Sequence, residues 1–296
     1  WLSAVGRWSE RGAVAAAVTA ALGVALAVYV LLLVLGVVGA RSERGVRDSR
    51  APRRLLLVGP SARSDRDGPG KTALFQLLKN GALPRFGTVS SMDARECAVD
   101  VNAWEEVQER AQDNDGGKAL LKIELVDTPG HPAARARVDA ELASARGVIF
   151  VVDSSRAAFD ASRRDSARAL FDVLTHGAVA QLQTPVLVLC NKQDVRDALQ
   201  PSEVRSGLET ELDRERSSRE ATMAEISVAG ADASASSAVP QKKWQRQPLG
   251  FSDERFEFSH SSCPVTFAVA SVASGNISAV RHFALSTFFP YQFASS

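Results

Sequence analysis

Pro185-Val-Leu-Val-Leu-Cys190, a short apolar run, passes straight into Asn191-Lys-Gln-Asp194. A brief apolar run bounded by polar residues reads as a buried strand of an α/β sheet. An Asp carboxylate at the end of such a strand can accept two hydrogen bonds, from the N1 and N2 donors of guanine. Adenine offers no such pair. N-K-x-D after a strand therefore reads as a guanine selector, with the Lys192 stem along the base plane, Asp194 on the base edge and Asn191 bracing a neighbouring phosphate loop. Four residues could equally be a polar turn, so the reading depends on what stands at the other strand ends.

Working outward, Arg54-Leu-Leu-Leu-Val58 is another apolar run, ended by Gly59-Pro60, and Gly68-Pro-Gly-Lys-Thr72 leads into Ala73-Leu-Phe-Gln-Leu-Leu78 with helical apolar spacing. That is the strand–loop–helix setting of a phosphate loop. Backbone N–H groups around Gly59, Asp67, Gly68, Gly70 and Ala73 face phosphate oxygens, Lys71 reaches the outer phosphates, and the Thr72 hydroxyl coordinates magnesium. The spacing departs from G-x-x-x-x-G-K-[ST], which places Gly where this chain has Asp65; counted from Gly59, six residues are extra before Gly70. Because Lys71-Thr72 and both flanking elements are intact, the expectation is a bulge over 61–66 with the loop closing normally around 67–70.

Leu120-Leu-Lys-Ile-Glu-Leu-Val126 alternates as a strand does and runs into Asp127-Thr-Pro-Gly-His131. Asp127 at that place would hold magnesium through water, and the Gly130 N–H would contact a gamma-phosphate. Loss of that contact on hydrolysis would release the segment behind it, which is the physics of a phosphate-sensing switch. His131 sits where a water-orienting side chain belongs; a solvated surface histidine is the plainer alternative. In the loop Phe86-Gly-Thr-Val-Ser-Ser-Met92 a hydroxyl would complete the magnesium shell, and Thr88, Ser90 and Ser91 all qualify. Ser90 is carried forward as the metal ligand and Thr88 as a nucleotide contact.

Gly147-Val-Ile-Phe-Val-Val-Asp153 is a wholly apolar strand ending in Asp, 161–176 an amphipathic helix, Val265-Thr-Phe-Ala-Val-Ala270 a last strand, and 276–289 a terminal helix. The loop at Ser271-Val272-Ala273 can present backbone N–H groups to the guanine O6. Strands alternating with helices imply an α/β fold with a mainly parallel central sheet flanked by helices. Ligands bind at the carboxyl ends of such strands, where each of these motifs falls.

The 296 residues suffice for a full core, and 35 Lys and Arg against 34 Asp and Glu exclude bulk nucleic-acid binding as a main role. Cys97, Cys190 and Cys263 lack metal spacing, and core packing is expected for the last two. Residues 12–40 carry no charge, and Leu22-Gly-Val-Ala-Leu-Ala-Val-Tyr-Val-Leu-Leu-Leu-Val-Leu35 is strongly apolar. About twenty such residues cross a hydrocarbon layer. Arg41, Arg44, Arg47, Arg50, Arg53 and Arg54 follow the run and only Arg7 and Arg11 precede it, which places the C-terminal bulk in the cytosol. The expected layout is a short luminal N-terminus (1–12), a transmembrane helix (13–40), a basic linker (41–53) and a nucleotide-binding domain (54–296). Polar insertions are expected at about 102–118 and 214–262, the second read from its polarity as disordered or flexible. Within it, Lys242-Lys-Trp-Gln-Arg246 reads as a solvated loop rather than a contact for a partner or ribosomal RNA.

With phosphate loop, D-T-P-G and N-K-Q-D in this order, the chain resembles the Ras-like small GTPases and within them the Arf branch. With a membrane span ahead of the GTPase, it is similar to the beta-subunit family of the signal recognition particle receptor. The resemblance rests on Leu55–Gly59, Gly70–Phe75, Thr88–Ser91, Asp127–His131, Val151–Asp153 and Asn191–Asp194. It implies a P-loop GTPase fold, GTP and Mg2+ as ligands, and a GTP-bound domain that holds the N-terminal domain of the receptor's alpha subunit at the endoplasmic reticulum membrane. Ribosome–nascent chain complexes and the signal recognition particle then engage indirectly, without sequence-specific nucleic-acid binding. Residues 86–92 and 127–137 would form the partner face. Hydrolysis is expected to be slow and partner-dependent, since no arginine is assignable as an internal finger and His131 replaces the Gln of many relatives. Two other readings fit the residues: a GTPase-fold membrane scaffold without nucleotide control, and an Arf-like trafficking GTPase, the latter disfavoured because that branch attaches by amphipathic helices.

Overall fold

β1 (Arg54–Val58) enters the core directly, all four of its apolar residues being buried. The chain continues through α1 (Lys71–Asn80), β2 (Arg95–Asp100), β3 (Lys122–Asp127), α2 (Arg135–Leu142), β4 (Gly147–Asp153), α3 (Arg156–Leu174), the short α4 (Gly177–Gln181), β5 (Val186–Asn191), α5 (Pro201–Ala229), β6 (Val265–Val269) and α6 (Ser278–Phe288). This computed structural model describes residues 53–61, 68–85, 88, 93–104, 107, 121–229 and 245–290, all within one unit, Ser49–Ser296. The expected luminal segment, transmembrane helix and nearly all of the basic linker lie outside the described residues. Among those described, no helix is long and apolar enough to cross a membrane.

The strands form one sheet in the order β2-β3-β1-β4-β5-β6. β3, β1, β4, β5 and β6 pair in parallel, and β2 alone runs antiparallel at the edge. Mainly parallel order with helices between strands confirms the expected α/β class. Strand alternation decides which residues reach which layer. Leu55, Leu57, Ile123, Leu125, Ile149, Val151, Leu187 and Leu189 pack on one face with Leu74, Val280 and Phe283 of α1 and α6. Leu56, Val58, Val126, Phe150, Val152, Val188 and Cys190 pack on the other with Leu142, Phe159, Leu170, Val204 and Leu208 of α2, α3 and α5. Cys190 and Cys263 are buried and free, as expected for core thiols, and burial pushes the Cys190 thiol up to about 12.

One expectation on the insertions changes, for the described parts of 214–262. Residues 214–229 belong to the 29-residue helix α5. The segment 245–262 returns over it, with Leu249, Phe256 and Phe258 buried in the α3–α5 core layer. The polar residues that read as disorder make ion pairs: Glu211, 4% exposed, takes Arg163 at 3.2 Å and Arg214 at 2.8 Å, and Arg219 reaches Asp172 of α3 at 2.9 Å. Arg216 donates to the Phe251 and Glu254 carbonyls at 2.5 and 2.6 Å, tying the returning segment to the helix. The basic cluster at 242–244 lies outside the described residues. Within 102–118, Trp104 and Val107 join the core layer of α1 and α6, and 105–106 and 108–118 lie outside the described residues.

Candidate functional site

β1 and β4 are neighbours from which the chain departs in opposite directions along the sheet, so a crevice opens at their carboxyl ends. Gly59 begins the loop there. A Cβ on it would stand 2.5 Å from the Val151 carbonyl of β4, so only glycine lets the loop lie this close to the sheet. At the other end of the loop Gly70 has φ 94° and precedes α1 without any side-chain cap. The first amides of α1, at Lys71, Thr72 and Ala73, thus have no side-chain acceptor and meet an anion with the positive end of the helix dipole.

Lys71 is 8% exposed and donates to the carbonyls of Gly59 at 3.1 Å and Pro60 at 2.9 Å. An ammonium has three donors, so one is left for a phosphate oxygen. Burial lowers the Lys71 pKa to about 8, partly offset by Asp127. The Thr72 hydroxyl donates to Asp127 Oδ2 at 2.8 Å, which brings together two of the expected metal residues. Asp127 is fully buried, and its Oδ1 has no hydrogen-bond partner among the described residues. Burial raises its pKa, against the Thr72 hydrogen bond and the charges of Lys71 and Arg95. An orphaned buried carboxylate oxygen beside a threonine hydroxyl is a donor set suited to a hard cation such as magnesium. Ser90, the third expected ligand, lies outside the described residues, as do Ser91, Asp67 and, apart from Ser61, the bulge expected over 61–66. Thr88 is described only as half-buried, and Gly68 is likewise half-buried beside the loop's return to Pro69.

Gly130 closes over the same loop. A Cβ there would meet Pro60 O at 2.7 Å, Lys71 Nζ at 2.8 Å and Ser61 N at 2.8 Å. The loop expected to contact a gamma-phosphate is therefore packed against the lysine expected to reach the same phosphate. His131 is exposed, and its Nδ1 accepts the Ala133 N–H at 3.2 Å, so the ring is engaged with its own loop. A cavity of about 330 Å³ lies beside it, lined by Gly59, Pro60, Gly130, His131, Arg135 and Arg168 among others.

The stretch expected to select guanine sits where its strand ends. Asn191 is 2% exposed; its Nδ2 donates to Pro69 O at 2.9 Å and its Oδ1 accepts Val272 N–H at 3.0 Å. One amide thus braces the phosphate loop, as expected, and also the loop after β6. The Ser271 hydroxyl donates to Asp194 Oδ1 at 2.5 Å, leaving Oδ2 and the second lone pair of Oδ1 for a base edge. The Val272 N–H, expected to face the base, is given to Asn191 Oδ1 here and so ties the loop after β6 to the selector stretch. Lys192 has φ 67°, and its ammonium lies 2.6 Å from Asp153 Oδ2.

Sequence reasoning passed over Asp153, Ser154 and Gln193. Ser154 Oγ donates to Asn191 O at 2.5 Å, and Gln193 Nε2 donates to Ser154 Oγ at 2.8 Å and Leu199 O at 2.9 Å. The available signal was a charged residue closing a wholly apolar strand.

Comparison with known proteins bears on this geometry. A family model described as "Signal recognition particle receptor beta subunit" matches residues 50–262. Signal recognition particle receptor subunit beta of Homo sapiens is 32% identical over 249 residues, 84% of this chain and 78% of that protein. The Mus musculus protein of the same name is 32% identical over 207 residues, and the match spans 70% of this chain but only 65% of the mouse protein. Among solved structures, that of the mammalian SRP receptor superposes with TM-score 0.58 and 26% identity, covering 79% of this chain and all of that one.

Proposed function

The chain belongs to the signal recognition particle receptor beta-subunit family, and from that premise we propose that it is a membrane-anchored guanine-nucleotide switch. In this reading it holds the receptor's alpha subunit, through that subunit's N-terminal domain, at the endoplasmic reticulum for co-translational targeting. Residues 13–40 would span the membrane behind a luminal 1–12, with 41–53 as a basic linker and 54–296 as the cytosolic GTPase domain.

One observation carries the nucleotide part: Asn191 joins Pro69 O and Val272 N–H at 2.9 and 3.0 Å, so the phosphate, base and β6 loops form one assembled pocket. Asp194 and the Lys192 stem would receive the guanine, and Lys71 with the first amides of α1 the phosphates. Thr72 and Asp127 would hold magnesium, which when bound neutralises phosphate charge. Gly130, packed against Lys71 and Pro60, would sense the outermost phosphate and pass its presence to 131–137, at the partner face. His131 must leave Ala133 N–H before its Nδ1 can orient a water, which supports slow, partner-dependent hydrolysis.

Fluorescent GDP and GTP titrations of the full chain in detergent test this, with Lys71→Ala as the control. Micromolar or tighter guanine-nucleotide binding, lost in Lys71→Ala, is expected. An intact fold that binds none overturns the switch. The lengthened loop between Gly59 and Gly70 favours one rival, a scaffold without nucleotide control. Capture of the alpha subunit's N-terminal domain separates them: a switch loses that partner in Lys71→Ala, a scaffold keeps it.

A further inference from the structure

Asp153, the last residue of β4, is a carboxylate that the nucleotide reading does not use. It is 4% exposed and ends a strand that is otherwise wholly apolar. A carboxylate at that depth is costly without partners; its Oδ1 is hydrogen-bonded, while its Oδ2 has no regular hydrogen bond and is met by a charge. Oδ1 accepts the Ser155 N–H at 3.0 Å and the Ser155 hydroxyl at 2.7 Å, fixing the turn into α3. Oδ2 lies 2.6 Å from the Lys192 ammonium.

Lys192 needs such an anchor. Its φ of 67° is left-handed, one of only two non-glycine cases among the described residues, and an L-residue stays there only where its surroundings hold it. Asp194 follows two residues later and must keep its carboxylate on Ser271. The turn around Asp153 also carries the rest of this loop. Ser154 donates its N–H at 3.0 Å and its hydroxyl at 2.5 Å to Asn191 O, and Gln193 Nε2 reaches Ser154 Oγ at 2.8 Å.

We propose that Asp153 is a positioning residue for purine recognition: by holding the Lys192 ammonium it fixes the left-handed turn, so that the Lys192 stem forms one wall of the base pocket and Asp194 faces the base edge. This rests on the guanine-nucleotide reading above and deepens it. Asp153 touches no ligand. Its effect would pass through Lys192 and concern the base and not the phosphates, which Lys71 and α1 would hold on the far side of Asn191.

The test uses the full chain in detergent as wild type, Asp153→Asn, Lys192→Met and the double variant. Asn keeps the shape of Asp and an acceptor for Ser155 while removing the charge that holds Lys192. Two probes are titrated, fluorescent GDP and inorganic tripolyphosphate, which has the phosphates without the base. Asp153→Asn is expected to weaken GDP about tenfold, mainly through faster release, and to leave tripolyphosphate within about twofold. In the Lys192→Met background the same change should matter less than about threefold, because the anchor has nothing left to hold. Equal losses for both probes would mean a merely structural role and overturn the proposal, as would unchanged GDP affinity in Asp153→Asn. Should Asp153→Asn fail to fold, Asp153→Glu carries the test: it keeps the charge but moves the carboxylate by one methylene, and is expected to weaken GDP several-fold and leave tripolyphosphate within about twofold, unchanged GDP affinity in it overturning the proposal. Wild type that binds tripolyphosphate but not GDP overturns the guanine reading and this one with it. Wild type that binds GDP, with Asp153→Asn indistinguishable from it, overturns this one alone.

Discussion

A methyl group at Gly70 tests whether the pocket is held together as described. Gly70 has φ 94°, where an L-residue costs roughly 1–2 kcal/mol. A Cβ built there would lie 2.4 Å from Asn191 Nδ2, so Asn191 must withdraw. Withdrawal breaks its bonds to Pro69 O and Val272 N–H in a place where Asn191 is 2% exposed. Leaving buried polar groups unmet costs about 1–3 kcal/mol each, so Gly70→Ala should lose about 3–5 kcal/mol in all. Asn191→Ala alone removes the same bonds and should lose about 2–3 kcal/mol. In the double variant the methyl no longer meets an obstacle, and only backbone strain of about 1–2 kcal/mol adds to the Asn191→Ala loss. The two changes should therefore be sub-additive by about 2–3 kcal/mol. Urea unfolding of the nucleotide-free chain, followed by tryptophan fluorescence, reads all four corners of the cycle. Additivity to within about 0.5 kcal/mol would refute the reasoning, because the methyl would then have found room without moving Asn191.

Three further outcomes follow from the same geometry. With its pKa lowered from 10.5 to about 8 by burial, Lys71 binds its proton less tightly folded than unfolded, so nucleotide- and metal-free stability should rise with pH between those values. The gain from pH 7.5 to 9.5 is on the order of 2 kcal/mol in urea unfolding, relative to Lys71→Met; no difference between the two proteins over that range sinks it. Asp127→Asn takes the charge from the carboxylate whose Oδ1 is buried without a partner, so added Mg2+ should strengthen GDP binding about tenfold or more in wild type and less than about twofold in the variant; equal responses count against Asp127 as a ligand. Arg216→Ala removes the donor to Phe251 O, Glu254 O and Asp213, and should cost on the order of 3 kcal/mol and expose 245–262 to limited proteolysis; an unchanged cleavage pattern would show that Arg216 does not secure that segment.

The parts of the site legible in the sequence are those whose signal is local. Val58-Gly59, Val126-Asp127 and Cys190-Asn191 each place an apolar run against a polar residue. Parallel register then carries those chain-local boundaries to one edge of the sheet, with Leu57 opposite Asp127 and Asp153 opposite Asn191. Such boundaries survive folding because strand burial and strand ends are set by the same few residues. What was illegible depends on partners far away in the chain. The charges of 214–229 satisfy the composition of a disordered segment, yet Arg219 pairs with Asp172 and Arg168 with Glu215 across α3 and α5, and no window of either helix contains both halves of those pairs. Asp153 and Lys192 are 39 positions apart and equally silent, although each was visible as a residue. The Asn191–Val272 bond was silent for the same reason: a backbone N–H has no sequence signature, and only the fold shows which acceptor it meets. Motif reading thus finds groups able to touch a ligand and misses those that hold them still. Asn191 belongs to both sets: its bond to Pro69 O was legible in the motif, whereas its bond to Val272 N–H and the Asp153–Lys192 pair show only in the fold.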